Sequence, residues 1–237
     1  MSYRLIICII LLFSFNLAFA ENEKENQLFP PAQVRLSGEV FSFTIYSDGS
    51  MYFYDDWVPG EVTLTTGESI EVEKLRYNGF LDQLIWLNPA NFQQIQVDKQ
   101  MVQTFTLKLP YYEEALFFEN ITFKPWFEAN PINIYGHVLY DGDIKLLAHR
   151  RVTKKGEVLE NVGNALVARA ELEPSLVFYI LMPDNQAHAV RRFNRRTIYR
   201  IFPERADKIR SEFRKEHLRI RNENELIKAI QIIDRLN

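Results

Sequence analysis

Between residues 57 and 109 apolar and polar positions alternate in short runs. Val62 and Leu64 alternate with Glu61, Thr63 and Thr65. A period of two gives a strand one buried and one wet face. Thr66-Gly67 predicts the turn that follows, since Gly accepts positive φ. Ile70 and Val72 then alternate with Glu71 and Glu73, after which the apolar parity moves to Leu75 and Tyr77. A strand keeps its core face across such a shift only by inserting one residue, so a β-bulge is predicted near Glu73-Lys74. Asn78-Gly79 signals a turn. Further apolar runs occupy 84–87, 92–97 and 101–109, the last with apolar residues at odd positions. No helical run separates these segments, which predicts an antiparallel meander rather than a βαβ unit.

The flanks extend this pattern. Residues 34–46 are strand-like, with Phe41, Phe43 and Ile45 on one side. A strand is predicted at 116–123, ended by Pro125, and a hairpin at 134–140 and 144–152 around Asp141-Gly142-Asp143. Lys154-Lys155-Gly156 predicts the start of a longer loop. The continuous apolar run at 176–181 suits a strand buried on both faces, and Pro183-Asp184-Asn185 turns it towards 187–190.

From Asn194 the apolar period becomes helical: Ile198, Ile201 and Phe202; Ala206, Ile209 and Phe213; Leu226, Ile230 and Ile233. Asn194 can cap the first helix, Pro203 suits the first turn of the next, and Asn222 with Glu225 forms a capping-box-like start for the last. All nine glycines precede this tail. The expectation is a mainly β fold (an antiparallel meander, sandwich or open barrel) over 33–192. A short C-terminal helical subdomain at 193–237 packs on the sheet, Leu226, Ile230 and Ile233 forming its buried stripe.

The beginning of the chain reads as a signal peptide over 1–20: Arg4, an apolar run at 5–15 and a small-residue site at Ala18-Phe19-Ala20. Cys8, the one cysteine, lies inside the apolar run and not at its end, which argues against lipid attachment. Residues 21–32 are expected to be a mobile N-terminal segment. The expected localisation is therefore exported, periplasmic or extracellular, not a lipoprotein, with no transmembrane span in the mature chain. Cleavage would leave no cysteine, hence no disulfide and no thiolate site. With 47% hydrophobic and 14% aromatic residues, the chain is expected to fold on its own core. The formal net charge of −3 becomes −4 without Arg4, which gives no general attraction to polyanions, and nucleic acid is not an expected partner.

Trp57, Gly60-Glu61-Val62-Thr63-Leu64, Gly67, Leu75-Arg76-Tyr77-Asn78, Phe105, Tyr140, Leu146-Leu147, Phe202-Pro203 and Glu225-Leu226-Ile227 occur in an order that resembles a family of uncharacterised exported proteins of Bacteroidota. The resemblance spans most of the mature chain. It implies a secreted or periplasmic β-rich protein with a short helical tail, and it carries over no catalytic residue or ligand.

Catalytic signatures are few. The four histidines, His137, His149, His188 and His217, form no metal-binding or zinc-protease spacing. On the 137–149 hairpin a shared face for His137 and His149 depends on a one-residue register: with 137 opposite 146 they part, and with 137 opposite 147 they meet. No metal and no cofactor is expected. Serine-nucleophile and phosphate-loop motifs are also missing. Adjacent carboxylates such as Glu113-Glu114 and Asp55-Asp56 point to opposite faces of a strand, while a glycosidase-like pair from distant strands stays open. Aromatics cluster at Tyr52, Phe53, Tyr54 and Trp57, at Tyr111-Tyr112, and at Trp126-Phe127. Most such rings fill cores; Trp57 and Trp126, beside prolines, are the candidates for a ligand platform. Arg191, Arg192, Arg195, Arg196 and Arg200 fall within ten residues with no acid among them, a candidate anion site. The alternative is a solvated face paired with acids such as Glu171, Glu173 or Asp184. The expected function is a non-catalytic exported binding or interaction protein of the envelope, its partner an anionic envelope component or another envelope protein. The alternative is a hydrolase of envelope polysaccharide.

Overall fold

The computed structural model describes residues 36–236. The signal peptide read at 1–20, with Cys8, and the mobile segment read at 21–32 lie outside the described residues. Within them the chain is mainly β with short C-terminal helices.

One mixed sheet holds β1 (Gly38–Val40), β2 (Ser47–Asp48), β3 (Val58–Leu64), β4 (Ser69–Asn78), β5 (Gln83–Leu87), β6 (Gln94–Val97), β7 (Val102–Leu107), β8 (Leu116–Pro125), β9 (Ile132–Tyr140), β10 (Lys145–Val162), β11 (Ala165–Leu181) and β12 (Gln186–Val190). The first part runs β1-β6-β5-β4-β3-β7-β8, all antiparallel. β8 then pairs with both β9 and β12. Since β9-β10-β11-β12 are also joined in that order, β8 to β12 close into a ring. Its last seam is parallel, Gln186 beside Lys124 and Ala187 beside Pro125. The meander is thus not wholly antiparallel; β2 also lies parallel to β11.

Val58 opposes Leu75 while Gly60 opposes Val72, which places the extra residue of β4 at Glu73-Lys74. The bulge lets Val72 and Leu75 both point into the core. A second extra residue sits at Gln103, because Thr63 opposes Thr104 but Leu64 opposes Val102; Val102 is thereby buried despite its even position.

Two segments differ from the expected pattern. Of the described residues 36–46 of the expected 34–46 strand, only β1 is a regular strand. Phe41 N–H still donates to Gln94 O at 2.8 Å, but β6 begins at Gln94; the chain then crosses to β11, where Tyr46 O accepts from Ala170 N–H at 2.9 Å. The loop expected from Lys154 is instead strand: β10 and β11 pair continuously, with one shift between Lys154 and Gly156. Lys155 is the extra residue there, and the real turn is Gly163-Asn164, with Gly163 at φ +63°. The outer part of this arm exposes Val158, Leu159, Val162 and Leu166.

Three larger cores follow. One lies within the meander and includes Val62, Leu75, Tyr77, Phe105, Phe118 and Tyr135. The second groups Phe123, Ile134, Leu147, Tyr179, Leu181 and Ala187, all from ring strands. The third joins Leu146, Ala148, Phe178, Ile180 and Val190 to the helices. β11 therefore is buried on both sides at 178–181, alternate residues serving different cores.

The helices are α1 (Arg195–Ile201), α2 (Ala206–Lys215) and α3 (Glu223–Asp234). Asn194 caps α1 by accepting from Thr197 N–H at 2.8 Å, and Pro203 opens the short turn before α2. Asn222 caps α3 through Glu225 N–H at 2.9 Å. The Glu225 carboxylate reaches back to Arg221 N–H at 2.7 Å, one residue before the cap. Ile198, Ile209, Phe213, Leu226, Ile230 and Ile233 are fully enclosed. At its other end α3 is fastened by Asp234, which accepts from Tyr140 Oη at 2.7 Å and Ile144 N–H at 2.9 Å. Gly142 suits this junction, because a Cβ there would stand 2.2 Å from Asp234 Oδ2. Among the described residues no helix is long and apolar enough to cross a membrane.

Candidate binding cleft

Pro125 ends β8 and leaves the outer edge of β12 beyond Ala187 without a strand neighbour. A cleft of about 570 Å³ opens there. β12 contributes Ala187, His188 and Ala189, small or flat residues that leave room, and Tyr179 lies behind them. One wall is the turn after Pro125, where Trp126 N–H donates to Ala187 O at 2.9 Å and Glu128 N–H to Pro125 O at 3.0 Å. The Trp126 indole stacks on His188, centroids 4.9 Å apart and planes at 27°, yet remains 54% exposed. The opposite wall is α1. Thr197, Arg200 and Ile201 line the cleft, as residues three and four apart share a helix face. Arg191 enters directly after β12. A smaller cleft of about 300 Å³ lies beyond Ile201 and Pro203, with Ile144, Met182, Glu204 and Arg205.

The larger cleft thus unites Trp126, Arg191 and Arg200. The remaining arginines of the cluster are placed differently. Arg192 and Arg196 are exposed outside its lining. Arg195 is partly buried and donates to Leu218 O, which ties α1 to the segment before α3. Among the described residues, Arg191, Arg192, Arg196 and Arg200 form no ion pair. Of the acids considered as partners, Glu173 meets Lys155 at 3.4 Å and Asp184 accepts from Gln186 N–H at 3.1 Å. Trp57 lies apart from the cleft. Arg76 packs over its ring at 4.3 Å and over Tyr52 at 4.5 Å, so an internal cation occupies that platform.

Burial shapes the titration of two cleft groups. It lowers the His188 pKa, with Asp184 opposing the shift, which favours a neutral ring against Trp126. It raises the Tyr179 hydroxyl, against the pull of Arg151 and Arg191. Trp126, Arg191 and Arg200 were legible as residue types. His188, Thr197 and Glu128 were not, because only the parallel β8–β12 seam brings them together.

Two polar networks lie inside the fold. Asp82, at φ +55°, accepts from Tyr77 Oη at 2.7 Å, Tyr135 N–H at 3.2 Å and Lys99 Nζ at 2.6 Å. His149 Nε2 stands 3.8 Å from Asp82 Oδ1. Burial alone would raise the Asp82 pKa, but His149, Lys99 and Tyr77 together bring it down to about 2. In the other network Arg150 donates to His137 Nδ1 at 3.0 Å and to Glu223 Oε1 at 2.8 Å, which joins β9, β10 and α3. His137 opposes Ala148, a register beyond both considered from the sequence. A bulge between Leu146 and Leu147 produces it and sends His137 and His149 to opposite faces. Among the described residues no group of three or more His, Cys, Asp or Glu side chains is placed to hold a metal ion. Neither network lines either cleft. Both tie strands together.

In comparisons with known proteins, no family model, no curated protein and no solved structure matches the chain.

Proposed function

We propose that this is a non-catalytic, exported protein that binds an anionic envelope component in the cleft between β12, the Trp126 turn and α1. The observation that carries this reading is the convergence of Trp126 with Arg191 and Arg200 on one open cleft. A guanidinium presents several donors in a plane, suited to phosphate, sulfate or carboxylate, and an exposed indole beside it supplies apolar contact. Export without lipid rests on the apolar run and small-residue site of 1–20 and on the family resemblance. Hydrolysis of polysaccharide needs two carboxyl groups about one bond; the larger cleft offers Glu128 and the smaller one Glu204.

The test is retention of purified protein on lipopolysaccharide, on acidic polysaccharide and on anionic vesicles at low salt. Binding to at least one is expected, and it should weaken steeply as the Debye length falls from about 10 Å at 0.1 M salt to about 3 Å at 1 M. The double variant Arg191→Gln/Arg200→Gln should lose it while keeping its melting temperature, because neither side chain has an internal ionic partner. No retention on any of the three at low salt would refute the reading.

A further inference from the structure

We infer that the anionic component is the phosphate surface of a phospholipid bilayer, with Trp126 and Phe127 forming a lip that enters the interface while Arg191 and Arg200 take the phosphates. This rests on the anion-binding reading of the same cleft.

The distinguishing observation is Phe127. Phe127 lines the cleft beside Trp126, yet nearly all of its surface stands in water, more than a ligand held wholly inside the cleft would cover. Phe127 is 96% exposed and follows Trp126 directly on the turn after Pro125. Aromatic side chains in this setting match the headgroup region of a membrane, where a ring can bury its apolar body beside polar groups. The turn holds them firmly: both flanking N–H groups, of Trp126 and Glu128, are bonded to backbone carbonyls. Trp126 is further supported from behind by His188.

Charge acts in the same direction. The protein is net negative, so it has no general affinity for an anionic surface. Arg191 and Arg200 nevertheless face the cleft beside the lip, and exposed Arg192 and Arg196 lie on the same basic stretch. Glu128 also lines the cleft and opposes the attraction, so the local surplus comes from the arginines. Such a distribution turns one face of an acidic protein towards a negative leaflet, and each arginine near that surface contributes about fivefold in partition.

The experiment uses protein recovered from cells expressing the whole chain. Wild type and variants then share one N-terminus, and their comparison isolates the lip. Flotation is measured with phosphatidylcholine vesicles with and without phosphatidylglycerol. In parallel, fluorescence is followed with lipids brominated on the acyl chain, and binding of a soluble acidic oligosaccharide is measured.

Wild type should float with the phosphatidylglycerol vesicles, at least about tenfold less at 1 M salt than at 0.1 M. Its emission should shift to the blue and be quenched by the brominated lipids, a response missing from Trp126→Phe. Arg191→Gln/Arg200→Gln should bind about thirtyfold more weakly. Phe127→Ala should bind about tenfold more weakly; at a fully exposed position it leaves the fold intact, so its loss of binding is not a loss of structure. If the protein binds the oligosaccharide but prefers no vesicle, the bilayer inference fails while the anionic cleft stands. If it binds neither vesicles, oligosaccharide nor lipopolysaccharide, both fail. If vesicle binding survives both Phe127→Ala and the double arginine variant, the membrane-facing surface lies elsewhere and the inference is overturned.

Discussion

His137 couples the ring to the helices through a single proton. Its ring stacks on Phe118 with centroids 5.1 Å apart, and its Nδ1 accepts from Arg150, which in turn holds Glu223 at the start of α3. Burial, reinforced by the Arg150 charge, lowers its pKa to about 3 from the usual 6.5. The unfolded chain therefore binds the His137 proton more readily than the folded one between these values. This part of the stability is fully present above about pH 6.5 and is lost as pH falls towards 3, at about 1.4 kcal/mol for each unit in that window. Denaturant titrations from pH 7 to pH 4 should show this slope, and His137→Gln should flatten it. Asp82 acts lower on the scale. With a folded pKa of about 2, its contribution holds above its unfolded value near 4 and disappears only below that. A His137→Gln slope identical to wild type between pH 6.5 and 4 would show that His137 is not the group responsible.

Among the elements, α3 tests how the helical tail is held. Leu226, Ile230 and Ile233 are enclosed in an apolar cluster with residues of β10, β11 and β12. Ile230→Asp would leave an unpaired charge in an apolar core and cost about 3–5 kcal/mol; an unchanged melting temperature would mean that α3 is not packed as described. This stripe was legible in the sequence because three aliphatic residues at helical spacing admit one arrangement, and Asn194 and Asn222 marked where two of the helices begin. The bulge at Glu73-Lys74 was legible for a similar reason, since a parity change in a buried strand has few remedies. The β10–β11 arm was not. Lys154-Lys155-Gly156 carries the composition of a turn, yet Gly156 follows a bulge, and the outer arm exposes apolar residues on both of its faces, so no alternation marks it as strand. The cleft was half legible: its arginines and Trp126 stood out by type, while their meeting depends on a parallel seam between β8 and β12 that no local pattern encodes.

At the scale of the whole molecule, the three larger cores are linked by shared strands. β8 gives Phe118 to the meander core and Phe123 to the ring core. β10 gives Leu147 to the ring core and Leu146 to the helix core, and β11 divides Tyr179 and Phe178 in the same way. Melting one core would strip one face of a strand that its neighbour needs, so no boundary exists along which the described chain could open in halves. Cooperative units of this kind unfold together. The prediction is that two probes, placed at opposite ends of this linkage, melt as one. Trp57 immediately precedes β3 and Trp86 lies on β5, so their fluorescence, read in a Trp126→Phe background, reports the meander. The far-ultraviolet helix signal reports α1 to α3. Their thermal midpoints should coincide in the wild-type protein. Ile230→Asp should lower both together, by on the order of 10 °C for its cost in a chain of this size, although no helix residue touches either tryptophan through the meander core. A variant in which the helix signal melts early while the tryptophan transition stays in place would show that β10 and β11 do not transmit the loss, and that the tail folds as a unit of its own.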